Sequence, residues 1–152
     1  MAGSELRRMS LEEALPHQLR RAGQAWSALW HQRVPELTSP QFAVLVVLFH
    51  HAELDQSALG SLASVDRSTL TVLVDRLEAD GLLTKTADPA NRRRRLIALT
   101  SRGRDRLERA AEEALLLHGE LGDLFGEPDL QRLIALLRRL GDVLPAVART
   151  PD

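Results

Sequence analysis

The chain contains no cysteine and no tyrosine, and only two tryptophans and three phenylalanines among its 152 residues. Without cysteine there is no disulfide framework, no thiolate zinc site and no thiol redox sensor. Losing tyrosine as well narrows the catalytic menu, and no Ser/His/Asp cluster, paired-carboxylate motif or Gly-rich phosphate loop fills the gap, so an enzyme is not expected. The five histidines, among them His50-His51 at one helix end, show no tight ligand spacing, so no metal is expected and no cofactor either. Long apolar runs are also missing. The longest, "FAVLVVLF" at 42–49, falls far short of the roughly 20 residues a membrane helix needs, and the opening "MAGSELRRMSLEE" has no apolar signal core. A cytoplasmic protein without membrane partners is the expectation. Nor is there a large excess of charge: the net value of −1 argues against a generally basic coat for nucleic acid.

The distribution of that charge says something different. Between Lys85 and Arg109 nine basic residues stand against three acidic ones, a local balance of +6, and the rest of the chain carries −7. A basic patch focused on a neutral protein is the footprint of a localised phosphate contact. At its centre is "ADPANRRRRLIALT", residues 87–100. Asp88, Pro89 and Asn91 form turns, and "RLIALT" alternates with the period of a short strand. The four arginines therefore stand near the tip of a hairpin.

The remaining pattern is helical. Leu11, Leu15, Leu19, Ala22, Trp26 and Leu29 recur at three- and four-residue spacing, which predicts a long helix over 10–34 ended by Pro35. Ser39 as N-cap and Pro40 at the first helical position open a buried helix over 40–51. Asp55 caps a short helix, 56–65, and Asp66 caps the next, 67–80, which Gly81 stops. In that helix Leu70, Leu73, Val74 and Leu77 form a core stripe, while the first turn stays polar with Arg67, Ser68, Thr69 and Thr71. Strands "LLTKTA" and "RLIALT" follow, then helices over 101–125 and 129–144, the last ending near Pro145. The order α-α-α-α-β-β-α-α is a mainly α chain: a winged helix-turn-helix with long helices at both ends.

A helix-turn-helix places the start of its second helix in the major groove. Arg67 can reach a guanine or a phosphate, and Ser68, Thr69 and Thr71 can meet base edges. Arg76, about two turns on, suits backbone contact. In the wing, strand alternation sends neighbouring side chains to opposite faces, so not all four arginines reach one target. Arg93 is the choice for minor-groove insertion, with Arg92 and Arg94 flanking it on phosphates and Arg95 pairing with an acidic neighbour. A wing that instead meets an acidic protein partner, with the recognition helix unused, is the alternative.

"LTSPQFAVL", "DRSTLTVLVDRLEADGLLTK" and "DPANRRRRLIALTSRG" together resemble the MarR family of bacterial transcription regulators, over about residues 10–145. The resemblance implies a single domain over 1–152, with a DNA-binding lobe at 39–100 and dimerisation helices at 10–37 and 101–146. It implies a homodimer, expected to be a repressor, on a palindromic operator in double-stranded DNA. One departure concerns Asn91, which stands where the family's wing usually carries the acid that orients its arginine. Surplus apolar face independently predicts a partner for the end helices: Leu107, Ala110, Ala114, Leu117, Leu121 and Leu124 in one, Leu130, Leu133, Ile134, Leu137, Leu140 and Leu144 in the other.

Such regulators commonly answer small aromatic or phenolic acids, and "HQLRRAGQAWSALW" resembles the subgroup that senses aromatic carboxylates. On that reading Arg20 anchors the acid, its neighbour Arg21 offering the same guanidinium fork. Trp26 and Trp30 supply flat walls, and His17 and His118 offer hydrogen bonds.

Overall fold

The computed structural model describes residues 10–148. They form α1 (Leu15–Arg33), α2 (Ser39–His51), β1 (Glu53–Asp55), α3 (Gln56–Ala63), α4 (Arg67–Ala79), β2 (Leu83–Ala87), β3 (Arg95–Leu99), α5 (Ser101–Phe125) and α6 (Glu127–Val147). The chain divides into two compact units, one up to Ala111 and one from Glu112 onward, with α5 running through the boundary. The predicted winged helix-turn-helix lies wholly in the first unit.

Several features differ from the sequence expectation. The first helix begins at Leu15, not at residue 10, because Pro16 has no amide to donate and favours a helix start. The N-cap of α2 is Thr38 rather than Ser39. Its hydroxyl accepts from the Gln41 amide at 3.4 Å, and the Gln41 side chain accepts from the Thr38 amide at 2.8 Å, a reciprocal capping box. At the end of the chain α6 starts two residues early, at Glu127, and runs to Val147 with Pro145 inside its last turn.

The fourth difference is a third strand. Leu54 of β1 pairs with Ile97 and Asp55 with Leu96, so the sheet is antiparallel in the order β1-β3-β2. β2 lies on the other side of β3, with Lys85 opposite Ile97 and Ala87 opposite Arg95. Ile97 is fully buried at the centre of this small sheet.

Around it the core of the first unit gathers Val44, Leu45 and Leu48 of α2, Leu59 of α3, and Leu70, Val74 and Leu77 of α4. Leu73, expected in that stripe, is only half-buried. Gly60 lets α3 and α4 meet closely: a Cβ there would stand 3.1 Å from both the Leu70 side chain and the Val65 carbonyl. Gly81, at φ +72°, ends α4 in the left-handed region as expected. The segment "LTSRG" then locks the wing to α5. The Thr100 hydroxyl donates to the Gly81 carbonyl at 2.7 Å and accepts from the Gly103 amide at 2.9 Å. Gly103 rests on the Leu82 carbonyl, where an added Cβ would come to 2.1 Å, so only glycine fits.

In the second unit Leu117 and Leu130 are buried. Most of the remaining apolar side chains there are not: Leu115, Leu116, Leu124, Phe125, Leu133, Ile134, Leu136, Leu137 and Leu144 are all exposed.

Candidate nucleic-acid interface

The helix-turn-helix junction is tight because Ser64 takes a left-handed turn at φ 54° and the Val65 amide bonds back to the Gly60 carbonyl at 3.0 Å. Asp66 then starts α4. Its carboxylate accepts from the Ser68 hydroxyl at 2.7 Å and from the Thr69 amide at 3.0 Å. These bonds, the Ser68 and Thr69 side chains foremost, hold its pKa well below the usual carboxylate range. A depressed carboxylate stabilises the fold fully above its unfolded pKa of about 4, and that contribution is lost as pH falls through the folded value. The stability difference between wild type and Asp66→Asn should therefore be constant near neutrality and shrink below pH ~4. Urea unfolding at pH 7 and pH 3 measures it, and a difference that grows with acidity would contradict this account of the cap.

Each predicted contact residue of α4 is exposed: Arg67, Ser68, Thr69, Thr71 and Arg76. The hydroxyls are not idle. Thr71 donates to the Arg67 carbonyl at 2.9 Å and accepts from the Gln56 side-chain amide at 2.6 Å. Gln56, which sequence reasoning did not single out, thereby joins the reading helix to the start of α3. With Ser57, Ser61 and Arg67 it lines an open cleft of about 680 Å³. Arg76 lies at the far end of α4, where it borders a second cavity of about 390 Å³ with Trp30, His31 and Gln41.

The wing tip is built by short-range bonds. The Asp88 side chain accepts from the Ala90 amide at 2.8 Å, and the Asn91 side chain from the Arg93 amide at 3.2 Å. Asn91 thus fixes the backbone of Arg93, a task a neutral oxygen performs more weakly than a carboxylate. Arg92 and Arg93 are exposed and make no ion pair among the described residues. Arg94 behaves otherwise. Its guanidinium bonds the Asp55 carboxylate and lies 3.8 Å from Asp88. The expected division is corrected here: Arg94, not Arg95, takes the acidic neighbour, because β1 brings Asp55 alongside the hairpin. Asp55 also caps α3 through the Ala58 amide at 2.9 Å. That amide first, and Arg94 after it, lower its pKa. On the neighbouring strand Lys85 bridges Asp75 at 2.6 Å and Glu78 at 2.7 Å, which raises its pKa and ties β2 to α4.

The predicted ligand residues are only partly brought together. On α1 the Arg20 guanidinium touches His17 and Gln24, each at 3.1 Å, and all three lie on the helix surface or near it. Trp26 is 38% exposed. Trp30 is not a free wall: it is buried, its indole N–H donates to the Leu37 carbonyl at 2.8 Å, and its ring packs on Phe42 at 5.1 Å. An apolar ring with one polar group meets both needs in the core, which is why it anchors the α1–α2 corner. His118 is exposed in the second unit.

The MarR family model matches residues 37–94, which hold the whole reading helix and the wing tip. The Escherichia coli transcriptional regulator HosA is 34% identical over 125 residues, 82% of this chain and 87% of that protein. The chain belongs to the MarR family. Its MarR-family relatives are DNA-binding transcriptional regulators, not enzymes. Among solved structures, MarR-like PcaV from Streptomyces coelicolor in complex with its natural ligand superposes with a TM-score of 0.84 at 34% identity, covering 88% of this chain and 96% of PcaV. Bordetella bronchiseptica BpsR, whose DNA binding is regulated by 6-hydroxynicotinic acid, gives 0.79 at 31%, covering 88% and 97%. No described helix is long and apolar enough to cross a membrane.

Proposed function

We propose that this MarR-family protein is a homodimeric repressor that holds a palindromic operator and lets it go when a small aromatic or phenolic acid binds. One observation carries the DNA half: a helix start dense in hydroxyls and a wing tip whose Arg92 and Arg93 make no ion pair among the described residues belong to the same compact unit. A duplex offers partners for both, base edges in the major groove and phosphates with a narrow minor groove beside it. Arg67 and Arg76 serve the backbone alongside Arg92.

The effector half rests on α1. Arg20, oriented by His17 and Gln24, offers a guanidinium to a carboxylate, and Trp26 lies two turns away with over a third of its surface open. BpsR answers a hydroxylated aromatic acid of this chemistry. Ligand binding would favour a spacing of reading helices that no longer matches successive major grooves. Gel shifts with the intergenic DNA upstream of the gene test both halves. Wild type should bind that DNA and be released by 6-hydroxynicotinic acid or a hydroxybenzoate. Arg20→Ala should bind it equally well yet need at least about tenfold more acid for release, the size expected for a lost charged hydrogen bond. Release of Arg20→Ala at the wild-type acid concentration would remove Arg20 from the site.

A further inference from the structure

The reading helix carries more information than its list of hydroxyls. Leu70, Val74 and Leu77 mark its buried side. At 3.6 residues per turn the directly opposite side is Ser68, Val72 and Asp75. Val72 is 67% exposed, more than any other large apolar residue of the first unit from α1 onward. Nothing in the fold requires a β-branched apolar side chain to point into water there.

The hydrogen-bond directions around it are equally one-sided. The Ser68 hydroxyl gives its hydrogen to Asp66, and the Thr71 hydroxyl gives its hydrogen to the Arg67 carbonyl. Neither acceptor has a hydrogen to return, and Thr71 already accepts from the Gln56 side-chain amide, so Ser68 is the hydroxyl that turns only lone pairs outward. Asp75 can do nothing but accept, and its charge is offset by Lys85. Beside Val72 the first turn of this side therefore presents an acceptor, Ser68, while the exposed guanidinium of Arg76 stands one turn further on, toward the flanking backbone. In the major groove guanine shows two acceptors, N7 and O6, and its cytosine partner an amino hydrogen at N4 but no apolar group. Adenine shows an amino hydrogen at N6, and its partner thymine shows the groove's one apolar group, the C5-methyl.

We propose that this helix reads adenine–thymine pairs, Val72 resting on a thymine C5-methyl while Ser68 accepts from an adenine amino group. The inference rests on the DNA-binding reading above and sharpens it to a base. Arg67, about 140° around the helix from Val72, and Arg76, at the far end, are left to the backbone.

The test starts from a randomised duplex library selected with the wild-type protein. In the enriched duplex each thymine is then replaced by deoxyuracil, which removes the methyl group and keeps every hydrogen-bonding atom. At one thymine per half-site the replacement should weaken wild-type binding about three- to tenfold, in line with burying a single methyl group. Val72→Ala should bind the thymine and deoxyuracil duplexes alike, while its thermal unfolding matches wild type because the side chain is exposed. Replacing the paired adenine by purine, which lacks the 6-amino group, should weaken both proteins, whereas 7-deazaadenine should weaken neither. An enriched duplex whose thymines all tolerate deoxyuracil overturns the inference and leaves DNA reading intact. So does a Val72→Ala protein that keeps the wild-type preference for thymine. Failure to enrich any sequence overturns the DNA-binding reading, and this inference with it.

Discussion

Arg93→Ala should cost operator affinity about tenfold or more per wing while leaving the fold untouched. The side chain is exposed and makes no ion pair among the described residues, so truncation should cost the fold little. What is lost is a cation poised to displace counterions from the duplex. Each phosphate charge neutralised contributes about 0.9 to the slope of log affinity against log salt. In a dimer the variant should accordingly flatten that slope by about 1.8. A narrow minor groove concentrates negative potential, so the loss should be largest on operators with A-tracts beneath the wing.

Arg94→Ala is the informative contrast. Its guanidinium, about half exposed, is committed to the partly buried Asp55 and the buried Asp88. The expected effect is a loss of about 0.2–1 kcal/mol of folding stability, as for a partly exposed ion pair, with a smaller change in salt slope than for Arg93. Salt titration of binding by fluorescence anisotropy, from 50 to 200 mM in roughly even logarithmic steps, separates the two. Equal slopes for the two variants would show that the wing arginines act as an undifferentiated charge cluster. An Arg93→Ala protein with wild-type affinity would remove the wing from the interface.

This division of labour was only half legible in the chain. A run of four arginines beside Asp-Pro and Asn is readable as a basic turn, since turn chemistry is local. The choice of Arg94 for pairing is not local: its partner Asp55 lies 39 residues away, and only the register of β1 on β3 brings them together. β1 itself has three residues, too few for a period-two pattern to show. It exists because β3 would otherwise leave an open edge. By contrast the caps Asp55 and Asp66 and the stop at Gly81 were plain, because each acts within one helical turn.

The same line divides the rest of the candidate site. Residue type told that Ser68, Thr69 and Thr71 could meet base edges, but not in which direction their hydrogens point. That direction comes from Asp66 and from the Arg67 carbonyl, both fixed only once α4 is capped and wound. Val72 escaped notice because an apolar residue in a helix reads as core until the buried side is known. Helical spacing put Trp30 on the same side as Trp26, and their rings do lie 5.6 Å apart. The bond to the Leu37 carbonyl and the contact with Phe42 that hold it at the α1–α2 corner are tertiary and could not be read from spacing.

The largest expected effect lies away from the duplex. Leu133 and Leu137, one turn apart on α6, are 38% and 49% exposed, and Leu136 and Leu144 nearby are more open still. A single chain gains nothing from an apolar stripe in water, and a contiguous patch of this kind marks a surface that another molecule covers. A second copy is the occupant proposed here, joined through the same stripe about a two-fold axis. The double variant Leu133→Asp/Leu137→Asp should run as a monomer in sedimentation velocity at micromolar concentration, where wild type should run as a dimer. Both side chains lie outside the first unit and are exposed by more than a third, so that unit should keep its fold and its helical circular dichroism. Each monomer would then hold one half-site alone. Losing the linked second half-site removes an effective-concentration advantage of about 10²–10⁴, and operator affinity should fall by that factor. The residual binding should be the same on a full palindrome and on a single half-site. Retention of the wild-type preference for the full palindrome by a monomeric variant would show that pairing through α6 is not what couples the two reading helices.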